Sequence, residues 1–335
     1  MSNDDPYNTV GVIGAGAWGT ALALTAARAG RDVTLAGRDA ETLAAIEKGE
    51  NPAYLPGIRL DTTFRTSNDA NDAARAAIVL LVTPAQTTRT VLEEIAETLA
   101  PGTPLVLCAK GIEAGTGRLL TEIVEEVVPQ AIPCVLSGPS FAADVARGLP
   151  TAVTIAAPME SIADRLAAAL SGGAFRPYAS ADVTGAQIGG ALKNVLAIAC
   201  GAVSGRKLGA SAQAALTARG FAEMTRLGRV LGARPETLTG LSGLGDLVLT
   251  CSTPQSRNFA FGMALGEGKP LETLTGPGAK LAEGVHTAAI AVRLAHDHGI
   301  DLPISEAVDD VVAGRLTIAG AIDRLMQRPL KREDW

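Results

Sequence analysis

Several kinds of chemistry are excluded by what this chain has little of. Aromatic residues occupy 3% of its 335 positions, so its packing must rest on aliphatic side chains. It has three histidines, His286, His296 and His298, all in one late segment of helical pattern, which leaves a mechanism built on a histidine base few candidates. Its four cysteines, Cys108, Cys134, Cys200 and Cys251, are far apart. With no CxxC pair and no histidine at ligand spacing, they suggest neither a disulfide framework nor a zinc site. They read as small buried apolar side chains, and no metal is expected. The formal net charge is −6, with no run of five or more Lys/Arg, so a nucleic acid or an anionic membrane surface is not an expected partner. An anionic metabolite is a different matter, because two or three well-placed cations in a pocket suffice. Apolar stretches are interrupted before the roughly 18 residues that a membrane span needs. The start of the chain is polar and acidic, unlike a secretory signal, and the expected location is the cytoplasm.

What is present is a chain of 47% apolar and 19% charged residues, longer than a single core usually grows, so two domains are expected. In the first part β-type runs at 9–13, 33–36, 78–82, 104–108, 133–136 and 152–157 alternate with helical patterns at 17–29, 43–49, 87–99, 118–128 and 161–170. That alternation implies an α/β, doubly wound parallel sheet. From about Tyr178 the strand signal fades and helical patterns follow at 183–203, 212–231, 254–266, 282–298, 304–313 and 318–326. The expected division is therefore 1–180, a dinucleotide-binding sheet domain, and 181–335, an all-helical domain, with a cleft between them at the carboxyl ends of the strands.

Gly14-Ala15-Gly16-Ala17-Trp18-Gly19 is a GxGxxG turn placed directly between a strand and a helix. The first two glycines permit the tight turn and the close approach of a pyrophosphate to backbone N–H groups; the third lets helix and strand pack. The second strand ends in Ala36-Gly37-Arg38-Asp39. Arg38 suits a ribose 2′-phosphate through its planar fork, and Asp39 suits the 2′-hydroxyl if the strand ends one residue later. NADP is favoured, and NAD remains compatible.

In the segment 183–203, Lys193 and Asn194 stand among Ile188, Leu192, Val195, Leu196 and Ile198. A lysine there either snorkels to the surface or is placed in a pocket, where desolvation brings its ammonium towards useful acid–base chemistry. Asp246 stands alone between apolar neighbours: it is either a helix N-cap after Gly245 or a partner that orients Lys193. Thr250, four residues on, shares its helical face. Gln255-Ser256-Arg257-Asn258 has the donors to hold a phosphate, and equally the composition of a capped helix start. Lys110, just past the strand ending at Cys108, lies at the carboxyl edge of the sheet, where ligands bind.

Together the motifs GAGAWGTA (14–21), AKGIE (109–113), SGPSFA (137–142), ALKNV (191–195), GLGDLVLTC (243–251) and QSRN (255–258) resemble the bacterial NAD(P)-dependent glycerol-3-phosphate dehydrogenase family, in family order and spacing along nearly the whole chain. The resemblance implies a Rossmann-like domain followed by an all-α domain. The implied activity is reduction of dihydroxyacetone phosphate to sn-glycerol 3-phosphate, with NADP or NAD as cofactor. It makes Lys193 the proton donor and acceptor, with Asp246 and Lys110 as further catalytic residues. Gly138, Ser140, Asn194, Thr250, Ser256, Arg257 and Asn258 would join these three at the substrate. Gly14, Gly16, Ala17, Trp18, Gly19, Arg38, Lys110, Ala142, Arg257, Leu281 and Glu283 would meet the cofactor. Ala36, where the family often has an aromatic residue, and Ser211, in a stretch where Asn is usual, depart from the pattern. A homodimer is the default assembly. The residues taken without the resemblance leave two other readings: a related two-domain 3-hydroxy acid or ketopantoate dehydrogenase, and a non-catalytic NAD(P)H sensor.

Overall fold

Runs of Val, Ile and Leu bounded by turn residues become strands buried on both faces. In the computed structural model, which describes residues 7–276, 282–330 and 332, the strands, such runs and a few shorter or more polar ones, are β1 (Thr9–Ile13), β2 (Asp32–Ala36), β3 (Glu50–Asn51), β4 (Leu55–Arg59), β5 (Arg65–Ser67), β6 (Ile78–Leu81), β7 (Pro104–Leu107), β8 (Ile132–Ser137), β9 (Thr151–Ala156) and β10 (Phe175–Ser180). Alternate side chains of one strand enter different cores, Ile78 and Leu80 on one face of the sheet, Val79 and Leu81 on the other. The sheet order is β10-β9-β8-β7-β6-β1-β2-β5, and β3 and β4 form a separate ribbon. From β5 to β8 every neighbouring pair runs parallel. The order reverses between β1 and β6, so the loops leaving those two strands part and open a crevice.

The expectation of a parallel sheet needs one correction. β9 runs antiparallel to β8, Val135 lying opposite Ala156, and β10 is parallel to β9. The link 138–150 contains only the five-residue helix Ala142–Ala146. Such a helix advances about 7.5 Å, short of the roughly 20 Å along a six-residue strand, so the chain turns back instead of crossing over.

The chain forms two compact units: the described residues up to Gly190 with Gly232–Asp246, and Ala191–Leu231 with the described residues from Leu247 onward. The division falls inside helix Val183–Gly205, ten residues beyond the fading of the strand pattern near residue 180. The reason is local. Asp182 accepts from Gly185 N (2.8 Å) at the helix start and from Arg234 N (2.8 Å), which ties the later stretch to the first unit.

The second unit is helical, with Val195, Ile198, Phe261, Ala288 and Val308 in its core. Within it, Glu223 is 2% exposed. Its carboxylate accepts from Ile304 N (2.6 Å), Ser305 N (3.1 Å) and Ser305 Oγ (2.9 Å), closing the start of helix Pro303–Val312. Burial pushes its pKa up to about 7. One expectation fails by composition: helix Val183–Gly205 is long and apolar enough to cross a membrane, but 72% of its most apolar window is buried inside the protein, as in a core helix.

Candidate active site

The turn after β1 works by omission of side chains. Gly14 has φ +120°, and a Cβ on it would lie 2.7 Å from Val82 O; a Cβ on Gly19 would lie 1.7 Å from Gly14 O, so helix Ala17–Arg28 is seated directly on the turn. A Cβ on Gly16 would meet nothing within 4 Å. Gly16 is the helix N-cap without a side-chain cap, and the first turn carries no acidic residue. The N–H groups there are therefore left for an anion. Trp18 Nε1, within this motif, and Thr83 Oγ1, two residues past β6, are buried without hydrogen-bond partners. These features fit the pyrophosphate of a dinucleotide.

At the end of β2, Ala36 is buried and Arg38 exposed. Asp39 caps helix Ala40–Glu47, accepting from Thr42 N (3.2 Å) and from the Thr42 hydroxyl, which holds its carboxyl below the usual range. Asp39 is thus committed to its own helix, while Arg38 is presented to the outside.

Lys110 follows β7. Its Nζ donates to Gly138 O (3.0 Å) and to Asp246 Oδ2 (2.6 Å), and Ser140 Oγ donates to the same Gly138 carbonyl (3.1 Å). The Asp246 side chain is 1% exposed and that of Lys110 15%, so this is a largely desolvated ion pair. Asp246 is not the N-cap that its position after Gly245 suggested: a π-turn, Leu241–Gly245, runs unbroken into helix Asp246–Cys251. The loop after Lys110 is pinned by Gln86, whose amide donates to Ile112 O (2.8 Å) and accepts from Ala114 N (2.7 Å). Arg89 forks onto Glu113 (2.8 and 3.1 Å) and holds that carboxyl below its ordinary range. Ala142, half-buried, opens helix Ala142–Ala146.

In the second unit Lys193 is 6% exposed and donates to Thr250 Oγ1 (2.9 Å); it does not snorkel. Asn194 and Asn258 are also buried. Asn258 Nδ2 donates to Asn194 Oδ1 (2.9 Å) and its Oδ1 accepts from Gly284 N (2.9 Å), beside the half-buried Glu283 at the start of helix Glu283–Asp297. Ser256 caps helix Arg257–Gly266 by accepting from Phe259 N (3.3 Å), and Arg257 is exposed at its first position.

Models described as NAD-dependent glycerol-3-phosphate dehydrogenase N-terminus and C-terminus match residues 9–163 and 182–323. The chain belongs to the NAD-dependent glycerol-3-phosphate dehydrogenase family. It is 59% identical to a glycerol-3-phosphate dehydrogenase, NAD(P)+, of Bradyrhizobium sp. (strain BTAi1), over 98% of this chain and 99% of that one. It is 55% identical to the protein of the same name from Parvibaculum lavamentivorans, over 98% of each. Among solved structures, glycerol-3-phosphate dehydrogenase from Coxiella burnetii superposes with a TM-score of 0.90 at 37% identity, covering 96% of this chain and all (100%) of that one.

For this member of the glycerol-3-phosphate dehydrogenase family, the first unit gathers Lys110, Gly138, Ser140 and Asp246, and the second joins Lys193 with Thr250 and Asn194 with Asn258. Leu281 lies outside the described residues. One supporting residue escaped the reading of the sequence. Asn51, fully buried, donates to Ala15 O (3.2 Å) and Thr20 Oγ1 (2.9 Å) and so braces the glycine turn from a distant ribbon. A lone Asn before a proline carries no signal of that role. The cysteines are buried as expected, and burial pushes the Cys134 thiol up to about 12.

Proposed function

We propose that the chain is an NAD(P)-dependent oxidoreductase that interconverts dihydroxyacetone phosphate and sn-glycerol 3-phosphate, with Lys193 as the general acid and base. The observation that carries this reading is a buried lysine, hydrogen-bonded to Thr250, in an otherwise apolar helix of a family member. A buried ammonium is retained where a proton must be held ready. A bound nicotinamide supplies or accepts the hydride. Lys193 donates a proton to the oxygen of the forming alcohol and takes it back in the reverse direction, with Thr250 orienting its Nζ. Lys110, itself anchored by Asp246 and the Gly138 carbonyl, steadies negative charge on that oxygen, and Ser140 offers its hydroxyl to the substrate. Arg257 and Ser256 bind the phosphate. Asn258 adds its remaining amide hydrogen there and aligns Asn194 and the Glu283 helix start. Gly14, Gly16, Ala17, Trp18 and Gly19 receive the pyrophosphate, Arg38 the 2′-phosphate of NADP, and Ala142 and Glu283 flank the cofactor. The setting is cytoplasmic, and the product supplies the backbone of glycerophospholipids.

Binding energy from the remote phosphate positions a three-carbon unit that has little else to hold. NADPH oxidation is therefore expected with dihydroxyacetone phosphate, with dihydroxyacetone losing kcat as well as affinity. Equal turnover of the two, or none with either, refutes the proposal; the second result favours a sensor or a dehydrogenase of another acid.

A further inference from the structure

Helix Val183–Gly205 places glycine at two consecutive interior positions, Gly189 and Gly190, although glycine is among the residues least suited to a helix. The two glycines meet different neighbours. A Cβ on Gly189 would lie 2.5 Å from Ser242 O and 2.9 Å from Gly243 Cα, atoms of the π-turn that leads into Asp246. A Cβ on Gly190 would lie 2.8 Å from Ser137 Oγ, 3.4 Å from Lys110 Cγ and 3.7 Å from Lys110 Cβ. The segments that supply the two partners of the Lys110–Asp246 ion pair therefore both rest on the same bare stretch of helix.

We infer that Gly190 is a positioning residue for Lys110, and that its missing side chain sets where the ammonium lies. The inference rests on Lys110 acting at the substrate, as proposed above. Gly190 offers no chemical group; it acts through the lysine stem that passes over it. A methyl at this position has two ways to make room. Ser137 Oγ, at 2.8 Å, is the atom it crowds, and the Lys110 stem, at 3.4 and 3.7 Å, is already in van der Waals contact on the other side; the methyl either displaces the hydroxyl or, held off by it, presses on the stem and carries Nζ away from Gly138 O and Asp246. Hydrogen bonds of 3.0 and 2.6 Å tolerate only a few tenths of an ångström of such movement. Ser137 Oγ is buried without a hydrogen-bond partner, so it fills space and holds nothing in place. That makes it a clean second site. Gly189 is the poorer probe, because its close neighbour is backbone, which cannot swing aside.

The test is steady-state kinetics with dihydroxyacetone phosphate and NADPH binding by fluorescence on Gly190→Ala, Ser137→Ala, their double variant, and Gly190→Ala in a Lys110→Met background. Ser137→Ala is expected to behave as the unmutated chain. Gly190→Ala should lose roughly 10- to 100-fold in kcat, the scale of a misplacement of an ångström or less, with NADPH affinity and Tm nearly unchanged. The double variant should recover most of that loss, because removing the hydroxyl gives the methyl a place away from the lysine. In the Lys110→Met background Gly190→Ala should add no further loss. Wild-type kinetics for Gly190→Ala overturns the inference, as does a loss that Ser137→Ala does not recover or that persists without Lys110. So does a Gly190→Ala chain that fails to fold and is not repaired by the second change. An unmutated chain without turnover refutes the proposed function instead, which separates the two failures.

Discussion

The glycine turn of the first unit and the lysine helix of the second prepare for ligands by opposite means. Around Gly14–Gly19 side chains are withheld, so that backbone N–H groups at a helix start are left open and approach distances are set by what is missing. Around Lys193 the polar groups are side chains, Lys193, Asn194, Thr250 and Asn258, enclosed among aliphatic neighbours and each engaged by another. The first arrangement has no room for an added atom at Gly14 or Gly19. The second tolerates no removed one, because a lost partner leaves a buried polar group unsatisfied.

The comparison is broken most sharply at Lys193. Lys193→Met keeps the apolar stem and removes the proton, so kcat should fall by roughly 10²- to 10⁴-fold, the range for a general acid–base group, while NADPH affinity measured by fluorescence stays unchanged. Next come two alanines in the turn. Gly16→Ala has open space around it and should leave Tm alone while weakening NADPH binding, because the methyl would stand where the pyrophosphate is proposed to dock. Gly19→Ala collides with Gly14 O and should lower stability as well, by about 1–3 kcal/mol for forced overpacking. Urea unfolding and cofactor titration on the pair would separate docking from packing. Smaller still, Arg38→Ala should raise the Kd for NADPH by roughly 10- to 100-fold, equivalent to about 1.5–3 kcal/mol for hydrogen bonds to a charged group, and barely change that for NADH. Equal losses for both cofactors would remove Arg38 from 2′-phosphate recognition.

The mildest test concerns a buried polar group outside the site. Burial raises the folded pKa of Glu223 to about 7, from an ordinary 4.5. Between those values the folded state binds more protons than the unfolded one, so stability should fall as pH rises from about 4.5 to about 7 and then level off. Glu223→Gln should flatten that slope in unfolding experiments and be the more stable form at pH 8. A slope unchanged by the substitution would assign it to other groups.

How much of this could be read beforehand follows the same division. The β1 strand, the glycine turn and its helix were legible almost to the residue, because glycine spacing between a strand and a helix has few other uses. The long helices of the second unit were legible from apolar periodicity. Short or polar elements were not: β5 and helix Ala142–Ala146 have too few residues to show a period, and β10 is interrupted by Arg176 and Pro177. Lys193 stood out as a charge in an apolar helix, but its contact with Thr250 did not, since it joins residues 57 apart in sequence. The same holds for Lys110 and Asp246, 136 apart. Sequence shows which residues are out of place; only folding shows which of them meet.

The reversal between β8 and β9 has a consequence for permissible chain length. Because β9 and β10 run opposite to β8, the chain leaves the sheet heading away from the end where β8 finishes, and Val183–Gly190 must climb back before it can pass Ser137 and Lys110. Eight helical residues rise about 12 Å, and each turns the helix by about 100°. Asp182 clamps the lower end of that climb, so the number of residues above it acts as a dial setting. One residue deleted there would bring the Ala191 methyl to the place of Gly190, and one inserted would bring Ile188 to the place of Gly189, against the Ser242 carbonyl, which makes this stretch intolerant of length change even where its individual residues can vary.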